Sequence, residues 1–194
     1  MNAEILHSNE INITAKNHCV LISFAIPSLL YLFKKRIIAG GDFAGNFFNA
    51  GIRGEGIVSM DKNNLNNNFF KFVFGLDNQF TTKLYGLIEY QFNGEGAVNK
   101  TNYNLLGLLD DSIINLSRNY VVVTASYQVT ALFTSTVSNN SNLNDGSGYL
   151  NVNGVYSLSD NSSLTAGSLI SYGGRFSEYW YYPSSYYLQA ELFF

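Results

Sequence analysis

Cysteine is nearly missing from this 194-residue chain. Cys19 stands alone, which excludes an internal disulfide framework and a cysteine-based metal site. Histidine is as scarce. His7 and His18 both lie ahead of the patterned part of the chain, so most His-dependent catalysis has no base there. Charge is thin: 11 Lys and Arg with 14 Asp and Glu make up 13% of the residues, where soluble domains carry about a quarter. The net charge of −3 and the lack of a basic stripe argue against nucleic acid as a partner. No apolar run reaches the roughly 20 residues of a membrane-spanning helix. Rings are plentiful instead. There are 15 Phe, 14 Tyr and 1 Trp, so aromatic side chains outnumber charged ones. Disordered chains have the opposite balance, and the length suffices for one domain with its own core.

The chain divides at about residue 36. Residues 1–36 form an N-terminal segment of uncertain structure, polar to residue 18, apolar over 19–33, then closed by Lys34, Lys35 and Arg36. The apolar stretch is short for a membrane helix and is broken by Pro27. As a signal peptide it has its positive charges on the wrong side. A strand at the edge of a truncated barrel is the third reading, and the last two stand open.

From residue 37 to 194 the pattern is uniform. Apolar and polar residues alternate with the period of two that marks a half-buried strand. Phe70, Phe72, Phe74 and Leu76 fall on one face, with Lys71, Gly75 and Asp77 on the other. Leu84, Ile88, Tyr90 and Phe92 oppose Glu89, Gln91 and Asn93. Similar runs cover 120–128, 149–158, 163–172 and 185–194, with others near 37–47, 50–60 and 131–138. This predicts about nine strands, or ten with the apolar stretch. Each is about 9–12 residues long, as a tilted strand crossing a bilayer requires. Short connections near 48, 81–82, 129–131 and 159–162 alternate with long ones at 61–68, 94–119, 139–148 and 173–184. The expected fold is all-β, an antiparallel up-and-down transmembrane β-barrel, with short turns at one end and long loops at the other.

The final strand ends in Phe194, with Tyr186, Leu188, Ala190 and Leu192 at every second position before it. On that strand, and on Gly54-Glu55-Gly56, Phe74-Gly75-Leu76-Asp77 and Asn142-Leu143-Asn144-Asp145-Gly146-Ser147, residues 37–194 resemble the bacterial outer-membrane β-barrel superfamily, in particular the C-terminal part of larger porin-like or export-type proteins. The resemblance implies a place in the bacterial outer membrane, lipid and the barrel-assembly machinery as partners, and a terminal strand read by that machinery. The missing signal peptide and the odd strand count favour a truncated chain over a complete one.

Candidate function residues follow from the alternation. Asp42, Arg53, Glu55, Lys71, Asp77, Glu89 and Gln91 share the polar face and would line the lumen. Counting from the turns sets Asp42 across from Glu55, with Arg53 diagonal, and Gly75 beside Glu89. Such a belt is an internal pairing network, the favoured reading, or a charged filter for small polar solutes. Tyr179, Trp180, Tyr181 and Tyr182 read as an aromatic girdle. Leu105, Leu109, Ile113 and Leu116 are spaced for a short amphipathic helix. Asp110-Asp111 is a carboxylate pair without a visible partner. The Asn142–Gly148 cluster fails as a calcium loop, because its twelfth position is Asn153 rather than Glu. No cofactor, metal or enzymatic activity is expected. The leading expectation is a passive channel or porin-like translocator. A plugged, structural or adhesion-type barrel with ligand-binding outside loops is the alternative, and a soluble β-sandwich or lectin-like domain is the third reading. The pattern predicts a protein that stays folded only with detergent or lipid. A folded monomer in plain buffer, seen by sedimentation, would remove the membrane reading.

Overall fold

Alternating runs joined by tight turns fold as antiparallel strands. The computed structural model describes residues 36–110 and 112–193 with side chains and, for the backbone alone, residues 11–13, 22–24 and 29–33. Three short strands come first: β1 (Ile11–Ile13), β2 (Ile22–Phe24) and β3 (Leu29–Phe33). Nine long ones follow: β4 (Arg36–Phe47), β5 (Ala50–Asp61), β6 (Phe69–Gln79), β7 (Leu84–Asn93), β8 (Asn119–Gln128), β9 (Phe133–Asn142), β10 (Gly148–Ser159), β11 (Ser162–Tyr172) and β12 (Ser185–Leu192). β4 to β12 neighbour one another in chain order, and every strand pairing is antiparallel.

The chain is therefore all-β, with the expected up-and-down order in one sheet. The sheet is not closed. Among the described residues β12 pairs only with β11, and β1 only with β2. The described parts of the apolar stretch, β2 and β3, both pair with β4. The rest of 1–35, with His7, His18 and Cys19, lies outside the described residues, as do Asp111 and Phe194. Among the described residues no helix is long and apolar enough to cross a membrane, which leaves crossing by strands untouched.

The connections explain the register. Phe48 and Asn49 both take positive φ, 46° and 67°, the two-residue turn whose twist suits a hairpin. It fixes Phe47 opposite Ala50 and so Asp42 opposite Glu55. The next tight turn is stitched by Thr81, whose Oγ1 accepts from the backbone N–H groups of Lys83 (3.2 Å) and Leu84 (3.0 Å). One boundary departs from expectation. Asn139–Asn142 belongs to β9 rather than to a loop. Its polar residues mimic a turn cluster, yet they continue the ladder to β8 and β10.

The two faces differ as the alternation predicts. On the apolar face the rings touch along and across strands: Phe70 and Phe72 stack at 5.3 Å, and Phe72 meets Phe92 at 5.5 Å and Tyr90 at 5.7 Å. Such pairs stabilise a sheet by about 0.2–1 kcal/mol each. This face nevertheless stays open: Phe70, Ile88 and Val123 remain 44%, 47% and 45% exposed. The buried centre lies elsewhere, at the loop end, around Leu116, Ser117, Tyr120, Asn142, Ser147 and Glu178. There Gly96 lets loop 94–118 close on itself, since a Cβ at this position would overlap the Ser117 carbonyl. Gly96→Ala should lower unfolding stability by about 1–3 kcal/mol, read from urea unfolding in detergent.

Candidate functional site

The polar face collects every residue expected there. Glu55 pairs in register with Asp42 on one side and Val73 on the other, and Val73 with Gln91. One row toward the turn end, Arg53, Gly75 and Glu89 are neighbours across three strands. Glu89 is thus level with Arg53, two residues below the Asp42–Glu55 row, because each hairpin has its own turn length.

Gly75 makes the Arg53–Glu89 contact possible. A Cβ there would come within 3.2 Å of both side chains. Across the gap, Arg53 Nε and Nη2 donate to Glu89 Oε1 at 3.3 and 3.2 Å, and Nη1 lies 3.8 Å from Asp77 Oδ1. The Arg53 side chain is 45% exposed, so this cluster contributes roughly 0–1 kcal/mol. Lys71 stands apart, paired with Glu95 and lying over the Phe69 ring at 4.9 Å. Asp42 and Glu55 face each other with no ion-pair partner among the described residues. They line two adjoining cavities of about 450 and 500 Å³, the first bounded also by Lys71, Gln91, Asn93 and Tyr120, the second by Arg53 and Glu89.

The loop end holds what the sequence did not disclose. Glu178 sits on a helical turn (Glu178–Tyr181) in loop 173–184 and is 4% exposed. Its Oε1 accepts from the Leu116 N–H (2.9 Å), and its Oε2 from Tyr120 Oη (2.7 Å) and Asn142 Nδ2 (2.8 Å). Its own N–H donates to Asp145 Oδ2, which also accepts from Tyr103 Oη, both at 2.9 Å. Asn144 Oδ1 accepts from Ser117 Oγ and from the Asn119 N–H. Three long loops are thereby tied to β8 and β9 over the polar face. Burial raises the Glu178 carboxyl above its usual range, and the three donors only partly offset it. Burial also acts to raise Asp145, but donors from Ser147, Glu178 and Tyr103 outweigh it and hold that carboxyl low. Burial lifts the Tyr103 phenol to about 12. Sequence gave one usable signal here: loops rich in Asn, Asp and Ser have the groups to bond one another.

The girdle residues divide. Tyr179 is corrected: it is buried, meets Tyr149 edge-on at 5.4 Å and accepts from Asn140 Nδ2 at 3.3 Å, both on the polar face. Trp180, Tyr181 and Tyr182 stay about half exposed, on a turn ahead of the last strand rather than on it. The expected amphipathic helix shrinks to α1 (Leu105–Leu109). Asn104 caps it, its Oδ1 accepting from the Gly107 N–H at 3.0 Å. Ile113 lies beyond the helix, and Leu116 is buried by the Glu178 contacts. Asp110 is occupied in accepting from Ser112, which keeps its carboxyl low. Tyr186, Leu188, Ala190 and Leu192 share one face of β12, and every residue of that strand is exposed. Arg36, read from sequence as the end of a basic cluster, instead heads β4. It donates from Nε to Ser59 Oγ at 2.7 Å and from Nη2 to the Asn67 carbonyl at 2.6 Å. Among the described residues no group of three or more His, Cys, Asp or Glu side chains is placed to hold a metal ion.

Removing the Glu178 carboxylate strands three buried donors. Glu178→Ala should therefore lower stability by roughly 3–5 kcal/mol. The raised carboxyl of Glu178 favours the folded state below the unfolded pKa, and that contribution fades as pH rises through the folded value. The depressed carboxyl of Asp145 acts oppositely, losing its contribution as pH falls through its folded value. Unfolding in detergent across acidic to neutral pH should show the decline toward neutrality in the wild type and its absence in Glu178→Gln. Comparison with protein-family models, curated proteins and solved structures finds no match for this chain, so what the site does is read from its own side chains.

Proposed function

We propose that the chain is an integral outer-membrane β-barrel protein that acts as a passive channel for small polar solutes, with a preference for cations over anions. The carrying observation is the contrast between the faces. One is apolar and open from turn to loop. The other presents Asp42 and Glu55 without a neutralising partner among the described residues, beside two adjoining cavities. Carboxylates facing a water-filled path attract cations and repel anions. Arg53 does not cancel them, being engaged by Glu89 and Asp77. In this reading the edge of β12 is partnered in the membrane, since hydrocarbon offers nothing to unpaired backbone groups.

The knot at the loop end supports a second reading, a structural barrel with a closed interior. Glu178 and Tyr179 are hydrogen-bonded to Tyr120 and Asn140 on the polar face, and Tyr120 also borders the first cavity. Planar-bilayer recording separates the two. A channel gives steady conductance, and Asp42→Asn/Glu55→Gln should lower its cation preference severalfold at low salt. The difference should shrink near 1 M salt, where the screening length is about 3 Å. A bilayer that stays sealed after the protein inserts would leave only the structural reading.

A further inference from the structure

We propose that the loop-end surface around Trp180 is a binding platform for an anionic polysaccharide. Phe176, Trp180, Tyr181 and Tyr182 are 55%, 46%, 49% and 48% exposed. The first three form one patch: Phe176 lies 5.6 Å from Trp180, and Trp180 meets Tyr181 edge-on at 4.9 Å, while Tyr182 follows them on the buried Tyr179 ring at 5.7 Å. Rings of this kind stack on the C–H faces of sugar rings, while Trp and Tyr keep polar handles for the hydroxyls.

The charge on the patch selects the kind of sugar. The Arg175 guanidinium lies over the Phe176 ring at 4.9 Å, and Lys100 Nζ donates to the Arg175 carbonyl at 3.3 Å. One cation thus lies on the rings and a second at the backbone of the residue that carries it, and neither has a carboxylate partner among the described residues. The acids of the knot beneath the patch, Glu178 and Asp145, are taken up by its hydrogen bonds. On a chain of net charge −3, this is a local positive field, complementary to carboxylated or sulfated sugars.

The platform is also held in advance of binding. Ser177, Glu178 and Tyr179 are buried directly below it. Phe176 is kept at φ 62°, a conformation that a bulky residue adopts only when its surroundings impose it. A fixed backbone lowers the ordering cost of binding. Through Tyr179 and Glu178 the turn rides on the polar face of the sheet, away from the apolar face that a lipid would meet. That placement favours a soluble polymer over a bilayer.

Trp180 is the sole tryptophan of the chain, so its fluorescence reports on the patch itself. Purified full-length protein in detergent would be titrated with oligogalacturonate and, separately, with neutral dextran of similar length. The expected result is a saturable emission change with oligogalacturonate and little with dextran. Affinity should fall as salt rises, and become roughly tenfold weaker in Lys100→Gln/Arg175→Gln. No saturable change, an affinity indifferent to salt, or an undiminished response in the double variant would overturn the proposal. So would strong quenching of Trp180 by brominated lipid in reconstituted vesicles, which would put the rings in the bilayer. None of these readings depends on conductance.

Discussion

Burying a carboxylate costs several kcal/mol unless donors meet it where it lies, and Glu178 is met by a backbone N–H, a phenol and an amide from three separate segments. The loops at this end leave most of their apolar side chains exposed, Leu106, Leu109, Ile114 and Phe176 among them, so little buried apolar surface holds them. Leu116 and Tyr179 are the buried hydrophobic residues they supply. Their order comes from polar groups that have left water and must find one another. This explains why the most buried part of the molecule is made of Ser, Asn, Glu and Tyr, and why it lies beyond the strands rather than between layers. A half-satisfied network of this kind would be worse than none. The segments that share it are therefore expected to order and loosen as a unit.

The sheet obeys a different rule. Its two faces are set by parity alone, and parity is protected by the tight turns. The positive-φ pair Phe48-Asn49 and the Thr81 turn each fix a hairpin register, and the registers then propagate strand by strand. The Arg53–Gly75–Glu89 row follows from this. Three residues separated along the chain are aligned by the 62–68 connection, which sets Arg53 opposite Gly75, and by the Thr81 turn, which sets Gly75 opposite Glu89, and the missing side chain in the middle lets the outer two touch. The polar belt is thus a product of register and of one vacancy.

These two modes of construction account for what could be read in advance. Strand order, the membership of each face and the Asp42–Glu55 pairing were legible, because period-two patterns and turn lengths are local. The offset of Glu89 from Glu55 was not, since it accumulates over two hairpins. Asn139–Asn142 misled because its composition suits a turn, while its neighbours on β8 and β10 make it a strand. The Glu178 knot was hidden for a deeper reason. Its partners Leu116, Tyr120 and Asn142 are 36 to 62 positions away, and nothing in the local sequence marks a carboxylate for burial. Tyr179 was misplaced with it, having been grouped with ring neighbours that stay about half exposed while it is buried.

The last strand has a consequence of its own. Among the described residues β12 pairs with β11 on one side and has no strand on the other along its eight residues. Hydrogen-bond groups along an edge are indiscriminate, since any extended chain can match them. Side-chain parity is selective. A partner must place its apolar residues on the side of Tyr186, Leu188 and Ala190, and its polar ones beside Tyr187, Gln189 and Glu191. A slip of one residue would invert every such match. Any strand added to this edge would therefore be sorted by its alternation, a distinction that backbone chemistry alone could not make.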